Sequence, residues 1–243
     1  MTDSFTKGEM LYEGKAKRLY ATTNPGELIM EFKDDLTAFD AVKKGQEAGK
    51  GAVNNRISAL LMGALAESGI ESTFIKVLDA NHSLVRSVQI VPLEVIVRYE
   101  AHGSLCRRYG IEAGKVIDPP LVEIGYKNDE LHDPFLSDEI AVLMGLASFE
   151  EIARIRYMAL VTGEKLREIY GAHGIKLLDF KLEFGRWQSP QGERIILADE
   201  VTPDTCRLVD AKTGEKLDKD LFRFDLGDVG EGYRKLLAKM EAV

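Results

Sequence analysis

The stretch from Asp179 to Glu183 alternates charged and apolar side chains and is the part of the sequence best equipped for chemistry. On a β-strand, residues two apart lie on the same face, so Asp179, Lys181 and Glu183 would project together. The opposite face would be apolar, with Leu178, Phe180, Leu182 and Phe184. Carboxylates beside an ammonium group can hold a cation next to a phosphate. An ordinary solvated strand face shows the same alternation, so this pattern alone leaves both interpretations open.

A partner strand strengthens the chemical interpretation. Arg194 to Asp199 follows the turn sequence Ser-Pro-Gln-Gly, which predicts a β-hairpin. A turn centred near Gln191 and Gly192 would place Asp199 opposite Glu183, to within about one residue. Three carboxylates (Asp179, Glu183 and Asp199) and Lys181 would then crowd one patch. Like charges that close repel unless a cation lies between them, so we predict a Mg²⁺–phosphate site.

Four further segments carry groups suited to anions. Gly14, Lys15 and Ala16 lie at a bend between two short predicted strands, and such a hairpin can fold over a nucleotide, although surface lysines look the same. Arg98 ends an apolar strand, where it could equally face solvent. Gly103 and Ser104 begin a short predicted helix that ends at Tyr109. They could bind an anion at its N-terminus or serve only as the helix cap. Residues 200–208 are predicted to be a loop carrying Arg207.

The remaining pattern predicts a mixed α and β chain. Helices are expected at 53–67, 137–145, 148–170 and 228–243, and strands at 9–12, 17–21, 28–32, 72–77, 83–91, 93–99 and 121–126. Pro92 interrupts two of these strands and predicts an edge strand or a connector between lobes. Asp118-Pro119-Pro120 predicts a rigid bend before a strand, and residues 127–134 a polar loop. Neither a Walker A loop nor G-x-G-x-x-G is present.

Composition limits the class of protein. The chain has 243 residues, 45% of them hydrophobic and 30% charged, which is typical of a soluble globular protein. Its net charge of −8 argues against nucleic-acid binding, because phosphate contacts need a positive surface. No apolar stretch approaches the ~20 residues of a membrane span, and the N-terminus lacks signal-peptide features. Cys106 and Cys206 stand alone, which favours a reducing compartment, so we expect a cytoplasmic protein.

Several motifs in order give the sequence a specific resemblance to the SAICAR synthetase family, the phosphoribosylaminoimidazole-succinocarboxamide synthases. The resemblance runs from Tyr12 almost to the C-terminus. It is carried by Tyr12–Lys17, Gly51–Asn55, Val91–Arg98, Ala101–Ser104, Lys127–Asp129 with His132–Pro134, Asp179–Gly185, and Asp199–Glu200 with Arg207–Leu208.

The resemblance implies an α+β, two-lobed, ATP-grasp-like fold. A mainly antiparallel N-terminal lobe (residues 1–88) would cover the nucleotide, and a larger α/β lobe (residues 89–243) would bind substrate and metal, with ATP in the cleft. The implied reaction joins carboxyaminoimidazole ribotide (CAIR) to L-aspartate, consuming ATP and giving SAICAR, ADP and phosphate through an acyl phosphate. The implied cofactor is Mg²⁺, and the implied assembly is a homo-oligomer, with a dimer favoured.

The resemblance also implies residue roles. ATP would be bound by Gly14, Lys15, Ala16, Lys17, Arg86, Val88, Lys127, Glu183 and Asp199. The ribotide would be bound by Arg98, Ser104, Asp179, Lys181 and Arg207, of which Lys181, Asp179 and Arg207 would be catalytic. The metal ligands would be Glu183, Asp199 and Asp179. Two other functions stay open, since a small-metabolite kinase would use the same groups and a non-catalytic module would bind the same nucleotide.

Overall fold

The computed structural model describes residues 5–38 and 42–242, and within them all strand pairs are antiparallel. The strands are β1 (Met10–Glu13), β2 (Lys17–Ala21), β3 (Glu27–Phe32), β4 (Asp35–Ala38), β5 (Lys43–Gln46), β6 (Phe74–Val77), β7 (His82–Arg86), β8 (Gln89–Glu100), β9 (Val116–Tyr126), β10 (Ile175–Ser189), β11 (Gly192–Ala198) and β12 (Cys206–Asp210). The helices are α1 (Lys50–Glu67), α2 (Ser104–Tyr109), α3 (Asp138–Leu143), α4 (Phe149–Ala172), α5 (Asp220–Arg223) and α6 (Val229–Glu241), and a 3₁₀ turn spans Asp129–Leu131.

Two five-stranded sheets organise these elements. The N-terminal sheet has the order β1-β2-β3-β7-β6, and the central sheet has the order β11-β10-β8-β9, with β12 also paired to β10. A separate hairpin, β4-β5, was not predicted from the sequence. The chain passes from the N-terminal sheet to the central sheet through Ser87 and Val88, because β7 ends at Arg86 and β8 begins at Gln89.

The predicted central hairpin is confirmed. Glu183 pairs with Ala198, so Asp199 follows the residue directly opposite Glu183. The apolar face of β10 is buried as its alternation predicts, with Leu178, Phe180, Leu182 and Phe184 each at most 3% exposed. Burying one face of β10 fixes its register, because a shift of one residue would exchange the apolar and charged faces.

The expectation for Pro92 is wrong, because β8 runs unbroken through it between β10 and β9. Its pairing with β10 passes from Glu94 opposite Glu183 to Ile90 opposite Gly185, so the ladder is irregular between these pairs. A proline, which lacks an N–H donor, is tolerated where a bulge interrupts the ladder.

Two other local expectations concern Asp118-Pro119-Pro120 and Arg207. Asp118-Pro119-Pro120 lies within β9, and the regular pairing with β8 is interrupted there, since Arg98 pairs with Leu121 and Glu100 with Val116. β9 is an edge strand of the central sheet, where proline is tolerated because one side of the strand needs no donors. Arg207 lies on β12 and not in a loop, and it pairs with Asp179 on β10.

Helix α4 covers the apolar face of the central sheet. Ser148 caps its N-terminus and forms the predicted capping box with Glu151. Its Gly163 has to be small, since a Cβ there would lie 2.5 Å from the hydroxyl of Tyr99 and 2.7 Å from the ring of Phe180. The helix can therefore approach β8 and β10 closely, and this approach presents the opposite, charged face of β10 to the cleft.

Helix α1 shares the core of the central sheet, since Ile57 and Leu61 pack in the same buried cluster as Val95 and Phe180. The division of the chain near residue 88 therefore stays a prediction. Among the helices in the described ranges, none is long and apolar enough to cross a membrane.

Candidate active site

A cleft lies between the N-terminal sheet and the charged face of β10. Its larger part has a volume of about 970 Å³ and is lined by the β1–β2 hairpin, the β4–β5 hairpin and the chain after β11. Its smaller part, about 370 Å³, borders the first at Lys17, Lys127, Glu183 and Asp199. The cleft thus brings together residues that are far apart in the sequence.

The smaller part of the cleft is an apolar cavity. Its walls come from β2, β3, β7 and the start of β8, including Leu19, Leu28, Met30, Val85, Val88 and Ile90. The Arg86 guanidinium does not serve as a free cation there: it donates to the backbone oxygens of Ser72 (2.7 Å) and Phe74 (3.1 Å) and stacks on Trp187. A flat apolar ligand in this cavity would therefore contact the main chain and the side chain of Val88.

The β1–β2 hairpin brings two lysines to the mouth of the larger part, where Gly14 and Ala16 also line the wall. Lys15 forms an exposed ion pair with Asp129, with 2.8 Å between Nζ and Oδ1. Lys17 is largely buried and forms ion pairs with Asp199 and Glu200, which links the N-terminal sheet to the chain after β11. Burial lowers the pKa of Lys17, although the charges of Glu200 and Glu183 oppose this effect.

Glu183 lies at the centre of the cleft with two ammonium groups. Lys127 donates to Glu183 Oε2, and Lys181 donates to Oε1 (2.8 Å) and also to Glu94 Oε1 (2.8 Å). Burial would raise the pKa of Glu183, but Lys181, Lys127 and Lys17 outweigh it and hold the pKa well below its ordinary value. Burial opposes protonation of Lys181, but Glu183 and Glu94 raise its pKa, so Lys181 remains an ammonium ion.

Asp199 has an unusual backbone conformation, with φ of 64° at a residue that is not glycine. Few non-glycine residues adopt this left-handed region, and those that do are concentrated at functional sites. Here the chain leaves β11 at Asp199 and turns into the segment that carries Glu200 and Asp204 into the cleft wall.

The far end of the charged face is a network of arginines and carboxylates. Arg98 and Arg207 both donate to Asp179 Oδ2, and the distance from Arg98 Nη1 to this oxygen is 3.2 Å. Arg98 also donates to Ser104 Oγ (3.1 Å), so the predicted residues Arg98, Ser104, Asp179 and Arg207 do meet. Two carboxylates complete the network: Glu123 accepts from Arg98 Nε (2.6 Å), and Asp220 accepts from Arg207 Nε (2.8 Å).

Asp179 does not lie with the other predicted metal ligands. It is four residues from Glu183 on one strand, which separates their Cα atoms by about 13 Å. In residues 5–38 and 42–242, no group of three or more Asp, Glu, His or Cys side chains is arranged to hold a metal ion. The crowding of three carboxylates in one patch is therefore not observed, and we remove Asp179 from the candidate metal ligands.

Sequence reasoning missed several polar residues of the cleft and its border, among them Glu94, Glu200, Asp204, Lys219 and Asp220. Glu94 had a signal, since it interrupts an apolar strand four positions before Arg98, and alternation places the two on the same face. The buried pair of Asp204 with Lys50 (2.5 Å) had none, because it joins α1 to a segment about 150 residues away. Only the fold brings these two residues together.

An apolar cavity joined to a lysine-rich cleft, with an arginine network farther along the same strand, is typical of an enzyme that uses a nucleotide to act on a second, anionic substrate. A family model described as SAICAR synthetase matches residues 10–240. The chain belongs to the SAICAR synthetase family.

Individual relatives agree with this assignment. The phosphoribosylaminoimidazole-succinocarboxamide synthase of Persephonella marina is 52% identical over 235 residues, covering 97% of both chains. The crystal structure of that enzyme from Ehrlichia chaffeensis has 42% identity and a TM-score of 0.93, covering 97% of this chain and 99% of its own. A SAICAR synthetase in complex with ADP has 45% identity and a TM-score of 0.90, covering 96% of this chain and 97% of its own.

Proposed function

We infer that the chain is an ATP-dependent ligase of de novo purine biosynthesis, which condenses CAIR with L-aspartate to give SAICAR, ADP and phosphate. The observation that carries this inference is the similarity to enzymes of that name over nearly the whole chain. The cleft supports it, because it joins an apolar cavity to a part lined by ammonium groups. An arginine network lies farther along the charged face of β10 and could bind an anionic substrate.

ATP fits the cleft in one orientation. The apolar cavity beside Val88 suits a purine base, and its border with Glu183 and Lys127 leads to the charged part. There Lys15, Lys17 and Lys127 are within the walls that a triphosphate would touch, with the main chain of Gly14 and Ala16. Ammonium groups and backbone amides at a hairpin neutralise phosphate oxygens. The complex of a relative with ADP supports the binding of an adenine nucleotide.

Glu183 and Asp199 fit a magnesium ion bound together with phosphate. Mg²⁺ usually keeps several waters and takes one or two protein carboxylates, so it needs no cluster of three. Both carboxylates border the two parts of the cleft and already attract a cation, since Lys17 pairs with Asp199 and Lys181 with Glu183. Bound there with ATP, the ion would neutralise charge on the transferring phosphoryl group.

The ribotide fits the arginine end. Arg98 and Arg207 supply fixed positive charge for its phosphate or carboxylate, and Ser104 supplies a hydroxyl. Asp179 holds both guanidinium groups in place by accepting from each. Lys181 lies between this end and Glu183, so a carboxylate held beside it would face the phosphates of ATP.

The order in which bonds form and break is proposed from this placement of ATP and the ribotide. The carboxylate of CAIR attacks the γ-phosphorus of ATP, the bond to the β-phosphate oxygen breaks, and an acyl phosphate and ADP form. The amine of aspartate then attacks the acyl carbon, the bond from that carbon to the phosphate oxygen breaks, phosphate leaves, and the nitrogen loses a proton to solvent as the amide forms. Lys181 stays an ammonium ion and would stabilise the oxyanion of the second step, so it is not the base that removes the amine proton.

Three further features belong to the proposal. We place the two lobes at residues 1–88 and 89–243, with Ser87 and Val88 as their connection, in an ATP-grasp-like arrangement. The N-terminal sheet would cover the nucleotide and the central sheet would hold the other substrates. We also propose that the enzyme acts as a homo-oligomer, with a dimer favoured.

The test is the dependence of ADP release on the two other substrates. The ligase requires CAIR and aspartate together, and SAICAR should form in a one-to-one ratio with ADP. Steady ADP release with CAIR alone and no amide product would indicate a kinase. Binding of ADP without turnover under any combination would indicate a nucleotide-binding module.

A further inference from the structure

The connection between the two sheets lies directly on one glycine of the central strand. Val88, in the two-residue connection from β7 to β8, packs on Gly185 of β10. A Cβ at Gly185 would lie 2.4 Å from Val88 Cγ2 and 2.8 Å from Val88 Cβ. Contacts that short do not occur, so any side chain at position 185 has to displace Val88.

Gly185 cannot move aside to relieve such a contact. It pairs with Ile90 of β8 on one side and with Ile196 of β11 on the other. Strand alternation places it on the same face as Glu183 and Lys181, at the end of the row nearest the apolar cavity. Val88 is the neighbour that can yield, and Val88 is part of the cavity wall.

We propose that Gly185 is a positioning residue for the nucleotide base: because it has no side chain, Val88 can lie against β10, and this contact sets the shape of the apolar cavity. The inference rests on the proposed binding of ATP in that cavity. It assigns to Gly185 an effect on nucleotide affinity that is separate from binding at the arginine network, which lies at the other end of β10.

The experiment compares two ligands on one variant. Binding of ADP and of CAIR is measured separately by calorimetry on the wild-type chain and on Gly185→Ala. We expect the dissociation constant of ADP to rise at least about tenfold and that of CAIR to change less than about twofold. Unchanged ADP affinity, or an equal loss for both ligands, would overturn the inference, because the second result indicates a general distortion.

The double variant Gly185→Ala/Val88→Gly separates this contact from other effects of the methyl group. Removing the side chain at position 88 makes room, so Gly185→Ala should cost much less ADP affinity in the Val88→Gly background than in the wild-type background. Equal costs in both backgrounds would overturn the inference. If the single variant does not fold, the double variant must be soluble and bind ADP, and its failure to do so counts against the inference.

The wild-type titration distinguishes this inference from the function on which it rests. Absence of ADP binding by the wild-type chain removes the proposed function, and the inference with it. Normal ADP binding by the wild-type chain with an insensitive Gly185→Ala variant removes only the inference.

Discussion

Arg98 on β8 lies directly opposite Asp179 on β10, and its Nη1 donates to Asp179 Oδ2 at 3.2 Å. Arg207 on β12 is the partner of Asp179 on the other side of the same strand and donates to the same oxygen. One carboxylate therefore orients two guanidinium groups across three strands. Both arginines keep further donors for an anionic ligand, since a guanidinium has five N–H groups.

Arg98→Ala should weaken the binding of CAIR by about 2–4 kcal/mol, because a charge-assisted contact to an anion is lost from a buried site. The effect on the Michaelis constant of ATP should be smaller. Arg108→Ala is the matched control, since Arg108 also donates to Glu123 but is more exposed than Arg98. Substrate titrations with each ligand measure the two effects. A loss of ATP affinity with CAIR affinity retained would mean that Arg98 serves the other ligand.

Glu183→Gln and Asp199→Asn should each lower turnover by ~10²-fold or more while the fold is retained. Either amide keeps the size of the side chain but removes a negative charge from the place where we propose Mg²⁺. Steady-state rates over a range of Mg²⁺ concentrations measure the effect, with circular dichroism as the check on folding. Glu193→Gln on the same hairpin is the control, because Glu193 is exposed and contacts Gln188. Near-normal rates in both site variants would contradict the proposed metal ligands.

Glu31 on β3 gives a prediction about acid stability. Burial would raise its pKa, but Lys7 and Tyr20, which donate to it, lower the pKa to about 2 from an ordinary value of 4.5. A carboxylate with a lowered pKa stabilises the fold above pH ~4.5, and this contribution is lost as pH falls toward 2.

Glu31→Gln should therefore lower the free energy of unfolding at pH 7 by about 1–2 kcal/mol, a value reduced for solvent screening. The difference from the wild-type chain should narrow between about pH 4.5 and pH 3. Urea unfolding at several pH values measures it, with Glu27→Gln on the same strand as control. A difference that is constant over this range would show that the charge of Glu31 is not its cause.

The sequence predicted the parts of the fold that depend on local pattern. The alternation along β10 and the turn at Gln191 and Gly192 were sufficient to predict the hairpin and its register, because a strand buried on one face admits one register. The position of Pro92 in the sheet was predicted wrongly, because it depends on how β8 pairs with β10 and not on local pattern. Its missing donor suggested a sheet edge, whereas a bulge opposite β10 accommodates it in a central strand.

The site was predictable as a set of residues but not as a set of contacts. Arg98, Ser104, Asp179 and Arg207 meet as expected. The contacts of Asp179 with Arg98 and Arg207 were not predicted, because the sequence shows which face a carboxylate occupies but not which cation lies nearest. That choice depends on strands β8 and β12, which the chain reaches about 80 residues before and about 30 residues after Asp179.

The last prediction concerns which oxygen is transferred. If ATP activates the carboxylate of CAIR, that carboxylate gives one oxygen to the phosphoryl group, and aspartate contributes only its amine. The site favours this order, because Lys181 lies between the arginine network and Glu183, where a carboxylate can face the γ-phosphorus in line with the bond that breaks. CAIR labelled with ¹⁸O in its carboxylate should deliver one labelled oxygen to the released phosphate, and labelled aspartate should deliver none. Mass spectrometry of the phosphate measures the transfer. Label arriving from aspartate, or from water alone, would exclude an acyl phosphate of CAIR even if SAICAR were the product.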